Sequence, residues 1–324
     1  MKKVVLTYDS QGGVEIEQNI FGSFAEIIKI PCKSEEELIK NCKDADAVIC
    51  SYEPFTDKVL SELPKLKIIS VKAIGVDSVD VEAAKNRGIA VTNIPGYCIN
   101  EVADHTIALM LTVNRRIIQF HESVQKDREW KFDLCPDITR FSENTIGLLG
   151  FGKIPKLVTL RLKGFGCNVI AYDPFIDPKV AEEYGVKLVG LDELCRISDY
   201  ISCHLPLNKD TNNMINKDVF SKMKKGVVFI NTGRGKVVDE EALLDALNKK
   251  QVGFAALDVL QDEYPDMETN PFVGRDNVIL TPHVAFYSTA SVRDAKVQSA
   301  ENILYYLKGE YERCTIINGV NVDN

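Results

Sequence analysis

Three short stretches in the second half of the chain carry residues suited to one kind of chemistry. Asn231-Thr232-Gly233-Arg234-Gly235 offers an arginine, which can hold a carboxylate through two parallel hydrogen bonds. Thr281-Pro282-His283 offers a histidine, which can give or take a proton near neutral pH. Between them lie Asp258 and, five residues on, Glu263; a carboxylate beside the histidine would orient the ring and favour its charged form. A hydride arriving at C2 of a 2-oxo acid builds negative charge on the carbonyl oxygen, and a cation plus a proton donor stabilise it where it develops. Taken singly, each residue has a plainer reading. A strand-end arginine is commonly a surface charge, and one histidine among four (His105, His121, His204 and His283) is commonly structural. Glu263 adjoins Asp262 in an acidic pair that a solvated loop would also carry. Order and spacing together select the catalytic reading.

These groups need a cofactor site and a scaffold. Thr145–Leu149 reads as an apolar strand running into Gly150-Phe151-Gly152. Gly150 and Gly152, with Lys153 and Ile154 opening the next helix, would turn backbone amides and the helix dipole toward a pyrophosphate. The following strand ends at Asp173, at roughly the 20-residue spacing of an acid that bonds the adenosine ribose hydroxyls. That carboxylate would repel a 2′-phosphate and no arginine follows it, so NAD is expected rather than NADP. One position departs. The fingerprint wants glycine or alanine at 155, and the chain has Pro155. Proline is tolerated in a first helical turn, but its ring is bulkier than a glycine, so a displaced helix or weaker cofactor binding is expected there.

The bulk properties fit such an enzyme. At 324 residues, 45% of them hydrophobic, the chain can fill about two domains. Its net charge of −8 and pI of about 5.2 argue against nucleic acid as a partner. No apolar run approaches the ~20 residues of a membrane span, and the start is too short in apolar residues for a signal peptide. Nine cysteines are scattered without a Cys-x-x-Cys pair, as in a reduced, cytoplasmic protein with no metal site.

Apolar runs alternate with amphipathic stretches, the pattern of βαβ units and parallel sheets. Early strands are expected at Lys3–Tyr8, Ala47–Cys50, Ile68–Val71 and Ala90–Thr92. About six more are expected at Thr145–Leu149, Asn168–Tyr172, Tyr200–Cys203, Val227–Asn231, Gly253–Asp258 and Val278–Thr281. Ser34 should cap a helix to Asn41, and Asp239 one to Asn248. One long helix is expected from Asn100 to Arg116, crossing between domains, and another from Ser288 to Leu307, after which the tail returns to the first domain.

The glycine turn, Tyr172-Asp173-Pro174, His204-Leu205-Pro206-Leu207, Asn231–Gly235, Ala256-Leu257-Asp258-Val259, Thr281-Pro282-His283 and Val102-Ala103-Asp104-His105-Thr106 together resemble the D-isomer-specific 2-hydroxyacid dehydrogenases over nearly the whole chain. Pro282–Ser288 resembles most closely the C-terminal-binding-protein branch, which has tryptophan where this chain has Phe286. The resemblance implies a two-lobed α/β protein: a flavodoxin-like substrate domain from residues 1–97 and 289–324, and a doubly wound Rossmann domain from 98–288 that binds NAD, with the active site in the cleft. It implies that Arg234 binds the substrate carboxylate and carbonyl, that His283 is general acid and base, and that Glu263 orients it. It also implies that Asp258 bonds the nicotinamide carboxamide, that Thr232, Gly233, Leu205 and Pro206 line that ring, and that Thr106 touches the cofactor. The backbone of Ile74-Gly75 would meet the substrate carboxylate. Tyr52 and Phe286 suggest a compact, partly apolar pocket for glyoxylate, hydroxypyruvate, pyruvate or a branched 2-oxo acid. Cys50 and Tyr52 stand where phosphoglycerate dehydrogenase carries arginines, so a phosphorylated substrate is less expected. A homodimer through the Rossmann domain is also implied. The branch offers one alternative, an NAD-sensing regulatory scaffold with residual activity.

Overall fold

The computed structural model describes residues 1–8 and 12–321, which divide into two units: Met1–Tyr97 with Ser288–Asn324, and Cys98–Tyr287.

The first unit is built on five parallel strands, β1 (Lys2–Leu6), β2 (Ala25–Lys29), β3 (Ala47–Cys50), β4 (Ile68–Val71) and β5 (Ala90–Thr92), in the order β2-β1-β3-β4-β5. Residues of β3, β4 and β5 are buried throughout, which is why they read as unbroken apolar runs rather than as alternation. The chain leaves β1 toward β2 on one side and resumes at β3 on the other. The carboxyl ends of β1 and β3 therefore flank a topological switch point, where open α/β sheets take their ligands. Ser34 caps the helix Glu35–Cys42 by accepting from the Glu37 amide at 3.3 Å. Ser288 and Ser291 form a reciprocal capping box at the start of Thr289–Lys308, and Gly309 ends that helix in the left-handed conformation. The tail returns to the sheet edge: Ile316 bridges Thr92, and the Asn318 side chain bonds Val91 N and Ile89 O.

The second unit holds seven parallel strands: β6 (Thr145–Leu149), β7 (Asn168–Tyr172), β8 (Lys187–Leu188), β9 (Tyr200–Cys203), β10 (Val227–Asn231), β11 (Val252–Leu257) and β12 (Val278–Leu280). Their order is β12-β11-β10-β9-β6-β7-β8. Counted from β6 as the first strand, this is 3-2-1-4-5-6 with a seventh strand at the far edge, the doubly wound Rossmann order. The helix Ile99–Asn114 packs against Lys153–Lys163.

Two strands escaped the sequence reading. β2 is an edge strand whose residues are mostly half-buried, so it shows no apolar run; β8 has two residues. The helix expected to run to Arg116 stops at Asn114. Arg116 is left-handed, with φ 53°, its guanidinium lying 3.7 Å from the Phe254 ring centroid and bonding Asp137 at 2.6 Å; a second helix, Ile117–Glu122, then begins. All nine cysteines are free. Among the described residues no helix is long and apolar enough to cross a membrane, and no cluster of side chains suits a metal ion.

Candidate active site

Apart from Thr106, which lies on the helix Ile99–Asn114, the residues singled out in the second unit lie past the carboxyl ends of β6, β7, β9, β10, β11 and β12. Gly150 follows β6 with φ +90°, and a Cβ there would lie 3.1 Å from the His204 carbonyl oxygen, so both backbone shape and the neighbouring β9 loop require glycine. Gly152 is different. Its φ is −77° and a Cβ on it would meet no protein atom within 4 Å. Among the described residues nothing crowds a Cβ at 152, so the mouth of the turn is open there. Lys153 and Ile154 are the first two residues of the helix, and the dipole of its first turn favours an anion. Asp173, just past β7, closes the turn: its Oδ2 accepts from Phe151 N and its Oδ1 from Phe175 N, each at 2.9 Å. A carboxylate has further lone pairs for ribose hydroxyls. The residues present fit a dinucleotide.

Pro155 is buried at the third helical position. The first hydrogen bond of the helix runs from Lys156 N to Gly152 O at 3.2 Å, so proline removes no donor that the helix would use. The helix continues unbroken to Lys163. Pro155→Gly should lower stability by about 1 kcal/mol through added freedom of the unfolded chain and leave the Kd for NADH within about twofold; calorimetry checks both. A markedly tighter Kd would mean that the ring obstructs the cofactor.

Past β9, burial pushes His204 down to about 4. It is thus neutral over the working range, and its Nε2 meets Ser202 Oγ at 2.9 Å; it shapes the loop that presents Leu205 and Pro206. Thr106, fully buried, pairs its hydroxyl with that of Thr232 at 2.9 Å, tying the helix Ile99–Asn114 to the end of β10. There the Asn231 side chain accepts from Gly233 N and donates to Arg234 O, both at 3.0 Å, fixing the backbone from which Arg234 projects. Arg234 Nη1 donates to Gly233 O at 2.9 Å. A Cβ on Gly235 would collide with the Leu260 carbonyl; this glycine lets the arginine loop abut the segment that leads to Glu263.

His283 Nδ1 lies 2.6 Å from Glu263 Oε2, with the two side chains 21% and 31% exposed. An ionised carboxylate only accepts, so in that pairing Nδ1 carries the hydrogen. Phe286 stands edge-on to the imidazole, ring centroids 6.1 Å apart. Beside the pair is a cavity of about 280 Å³ with apolar walls from Val259, Leu260, Pro265, Met267 and Leu280. Tyr52, Ile74 and Gly75 belong to the first unit, just past β3 and β4. Ile74 O accepts from the Asn93 side chain at 2.7 Å; the amides of Ile74 and Gly75 meet no acceptor among the described residues.

The conformation of His283 has a cause that motif reading missed. Its φ is +50°, a region that non-glycine residues enter only when held. Asp258, 1% exposed, holds it. One carboxylate oxygen accepts from Thr281 Oγ1 (2.5 Å) and Val284 N (2.9 Å), the other from Ala285 N (2.9 Å), and the Asp258 carbonyl accepts from His283 N at 2.8 Å. His105 adds a further tie, Nε2 to Thr281 Oγ1 at 3.1 Å. The sequence shows Asp258 in its motif but not that it grips a loop more than twenty residues on. Asp258→Asn replaces an acceptor by a donor facing backbone amides. It should lower kcat about 100-fold, the order of loss expected from misplaced catalytic groups, with the Kd for NADH little changed. If instead NADH affinity collapses, the carboxylate acts chiefly on the carboxamide.

Residues 107–285 match the family described as D-isomer specific 2-hydroxyacid dehydrogenase, NAD binding domain, so a nicotinamide dinucleotide is the cofactor that this domain serves. The chain is 39% identical over 293 residues to the D-3-phosphoglycerate dehydrogenase of Methanocaldococcus jannaschii, covering 90% of this chain and 54% of that protein. It is 34% identical over 281 residues to the glyoxylate reductase of Korarchaeum cryptofilum, covering 86% of this chain and 84% of that one. Among solved structures it is similar to a D-lactate dehydrogenase from Aquifex aeolicus complexed with NAD and lactic acid, with a TM-score of 0.89, 30% identity, and coverage of 96% and 97% of the two chains. The chain spans about half the length of the phosphoglycerate dehydrogenases that it matches. With its Rossmann strand order, its glycine turn and these matches, the chain belongs to the D-isomer-specific 2-hydroxyacid dehydrogenase family.

Proposed function

We propose that the protein is an NAD-dependent dehydrogenase that interconverts a small 2-oxo acid and the D-2-hydroxy acid. The observation that carries this reading is the Glu263–His283 pair at 2.6 Å, set on a loop that Asp258 clamps, with Arg234 at the end of the adjoining strand pair β10–β11. When bound, the nicotinamide supplies or takes up the hydride. In reduction, Arg234 draws the substrate carboxylate and carbonyl into register by bidentate hydrogen bonding and offsets the charge growing on the carbonyl oxygen. His283 delivers the proton from Nε2 while Glu263 stabilises the ring orientation through Nδ1–H. In oxidation His283 takes the same proton. In the first unit, the amides of Ile74 and Gly75 bind the substrate carboxylate, with Tyr52 beside them. Phe286 bounds the substrate, Thr106, Thr232, Gly233, Leu205 and Pro206 bound the nicotinamide, and Asp173 selects NAD. A regulatory scaffold would have no use for a strained, four-bond grip on a histidine. The test is stereochemical: with NAD, the protein should oxidise D-2-hydroxy acids and spare the L-forms, and preference for L-forms would overturn the assignment of faces.

The homodimer reading has a surface to support it. In the second unit, Trp130 is 90% and Phe132 93% exposed, with Ile117, Ile118 and Leu134 nearby in sequence and also exposed. Bare aromatic side chains of this size are characteristic of association surfaces. Trp130 is the chain's one tryptophan, so its emission should be blue-shifted in the dimer. Trp130→Asp with Phe132→Asp should sediment as a monomer; an unchanged dimer would place the interface elsewhere.

A further inference from the structure

His105 lies on the helix Ile99–Asn114, in the same unit as the Glu263–His283 pair, and the steps assigned to Arg234, Glu263 and His283 do not use it. Its side chain is 23% exposed. Nε2 stands 3.1 Å from Thr281 Oγ1 and 3.6 Å from Asp258 Oδ1; only the first is a hydrogen bond. Its direction follows from the hydrogens available. Thr281 has one hydroxyl hydrogen, which it gives to Asp258 Oδ1 at 2.5 Å, since an ionised carboxylate only accepts. The hydroxyl oxygen is then the acceptor toward His105, so in this arrangement Nε2 carries the hydrogen.

The loop that His105 meets needs anchoring. His283 has a φ of +50°, a conformation that persists only where its surroundings over-determine it. The strand before it, β12, is the edge of the sheet: three half-buried residues paired with β11 alone. The bonds that Asp258 accepts from Thr281, Val284 and Ala285 all join the end of β11 to the loop past β12. His105 brings a tie from a different element, a helix packed against β10 and β11. The next residue on that helix, Thr106, is bonded to Thr232 past β10. Consecutive helical residues are thus joined to the loop that bears His283 and to the loop that bears Arg234.

Resting on the dehydrogenase reading, we propose that His105 is a positioning residue: its Nε2–H bond to Thr281 braces the loop that sets His283 against the substrate. Its action passes through Thr281 and Asp258, and with Thr106 it keeps the arginine and histidine loops in register.

The test uses the full-length protein with NADH and glyoxylate, hydroxypyruvate, pyruvate or 2-oxoisocaproate, whichever is reduced fastest. His105→Leu removes the donor and strands no group, because the Thr281 hydrogen keeps its acceptor. It should lower kcat about five- to tenfold, the worth of one hydrogen bond, with KM and the Kd for NADH unchanged. His105→Gln places an amide nitrogen at the same number of bonds from Cα and should recover most of the loss. In a Thr281→Val background His105→Leu should cost nothing more, the non-additivity of residues that act through one another. Equal losses in His105→Leu and His105→Gln, a loss that falls on NADH binding, or additive losses at 105 and 281 would overturn the proposal. A second readout needs no turnover. With isotope-labelled histidine, the His283 imidazole NMR signals, assigned by their absence in His283→Ala, should move in His105→Leu and return in His105→Gln, while those of exposed His121 stay. Unmoved His283 signals would equally overturn it. If no acid is reduced, the dehydrogenase reading falls, and these signals alone decide whether His105 positions His283.

Discussion

His283→Ala lowers kcat by about a hundred- to ten-thousand-fold, while NADH binds as before and the KM for the 2-oxo acid changes little. The expectation follows from where the imidazole acts. Its Nδ1 pairs with Glu263 at 2.6 Å, and on the proposed mechanism the proton that reaches the substrate passes through Nε2 in the transition state. Removing an interaction made only there lowers kcat and kcat/KM together. The cofactor turn around Gly150 and Gly152 lies past β6, with three strands between it and β12 in the sheet order, so NADH affinity, read by fluorescence titration, should not follow. Loss of NADH binding in this variant would mean that the histidine is structural.

Arg234→Ala should fail differently. A guanidinium that holds the carboxylate in the ground state and meets the oxyanion in the transition state contributes to both, so KM rises as kcat falls. The loss in kcat/KM should be about a thousand-fold, on the scale of removing a preorganised oxyanion donor. Arg234→Lys should recover little, because an ammonium cannot reproduce the planar two-point grip. The contrast between the two positions is the informative part: kcat alone at 283, kcat and KM together at 234. Steady-state kinetics over a range of 2-oxo acid concentrations separates them. An Arg234→Ala enzyme with wild-type KM would show that the carboxylate is held by other groups.

The sequence carried those residues in plain view because their signals are local. Arg234 sits between two glycines, each with a steric reason: a Cβ on Gly233 would press on the carbonyls of Cys203 and Leu205, and one on Gly235 would collide with Leu260. His283 follows Thr281-Pro282, and Gly150 needs its positive φ. The strands that position them were legible as buried apolar runs wherever both faces are covered. β2 was not, because an edge strand with half-buried residues has no such run. The break at Arg116 was hidden too, since it depends on Phe254 and Asp137 far along the chain.

What the sequence could not show is chemistry made by strands meeting in space. Asp258 reads as a motif residue with an expected role toward the nicotinamide; that its oxygens take up Thr281, Val284 and Ala285 depends on β11 and β12 lying side by side. His105 touches Thr281 across 176 positions. Pro155 is the reverse case, a residue whose type alone suggested a defect; its place in the first turn, ahead of the first hydrogen bond of the helix, costs the helix no donor.

The most direct test of the central claim is NADH consumption by the purified protein with glyoxylate, hydroxypyruvate, pyruvate and 2-oxoisocaproate side by side, with NADPH as the control. Turnover with NADH on at least one acid, much weaker with NADPH and lost in His283→Ala, is the predicted result. A protein that binds NADH yet consumes none with any of these acids would contradict the dehydrogenase assignment and favour the regulatory reading.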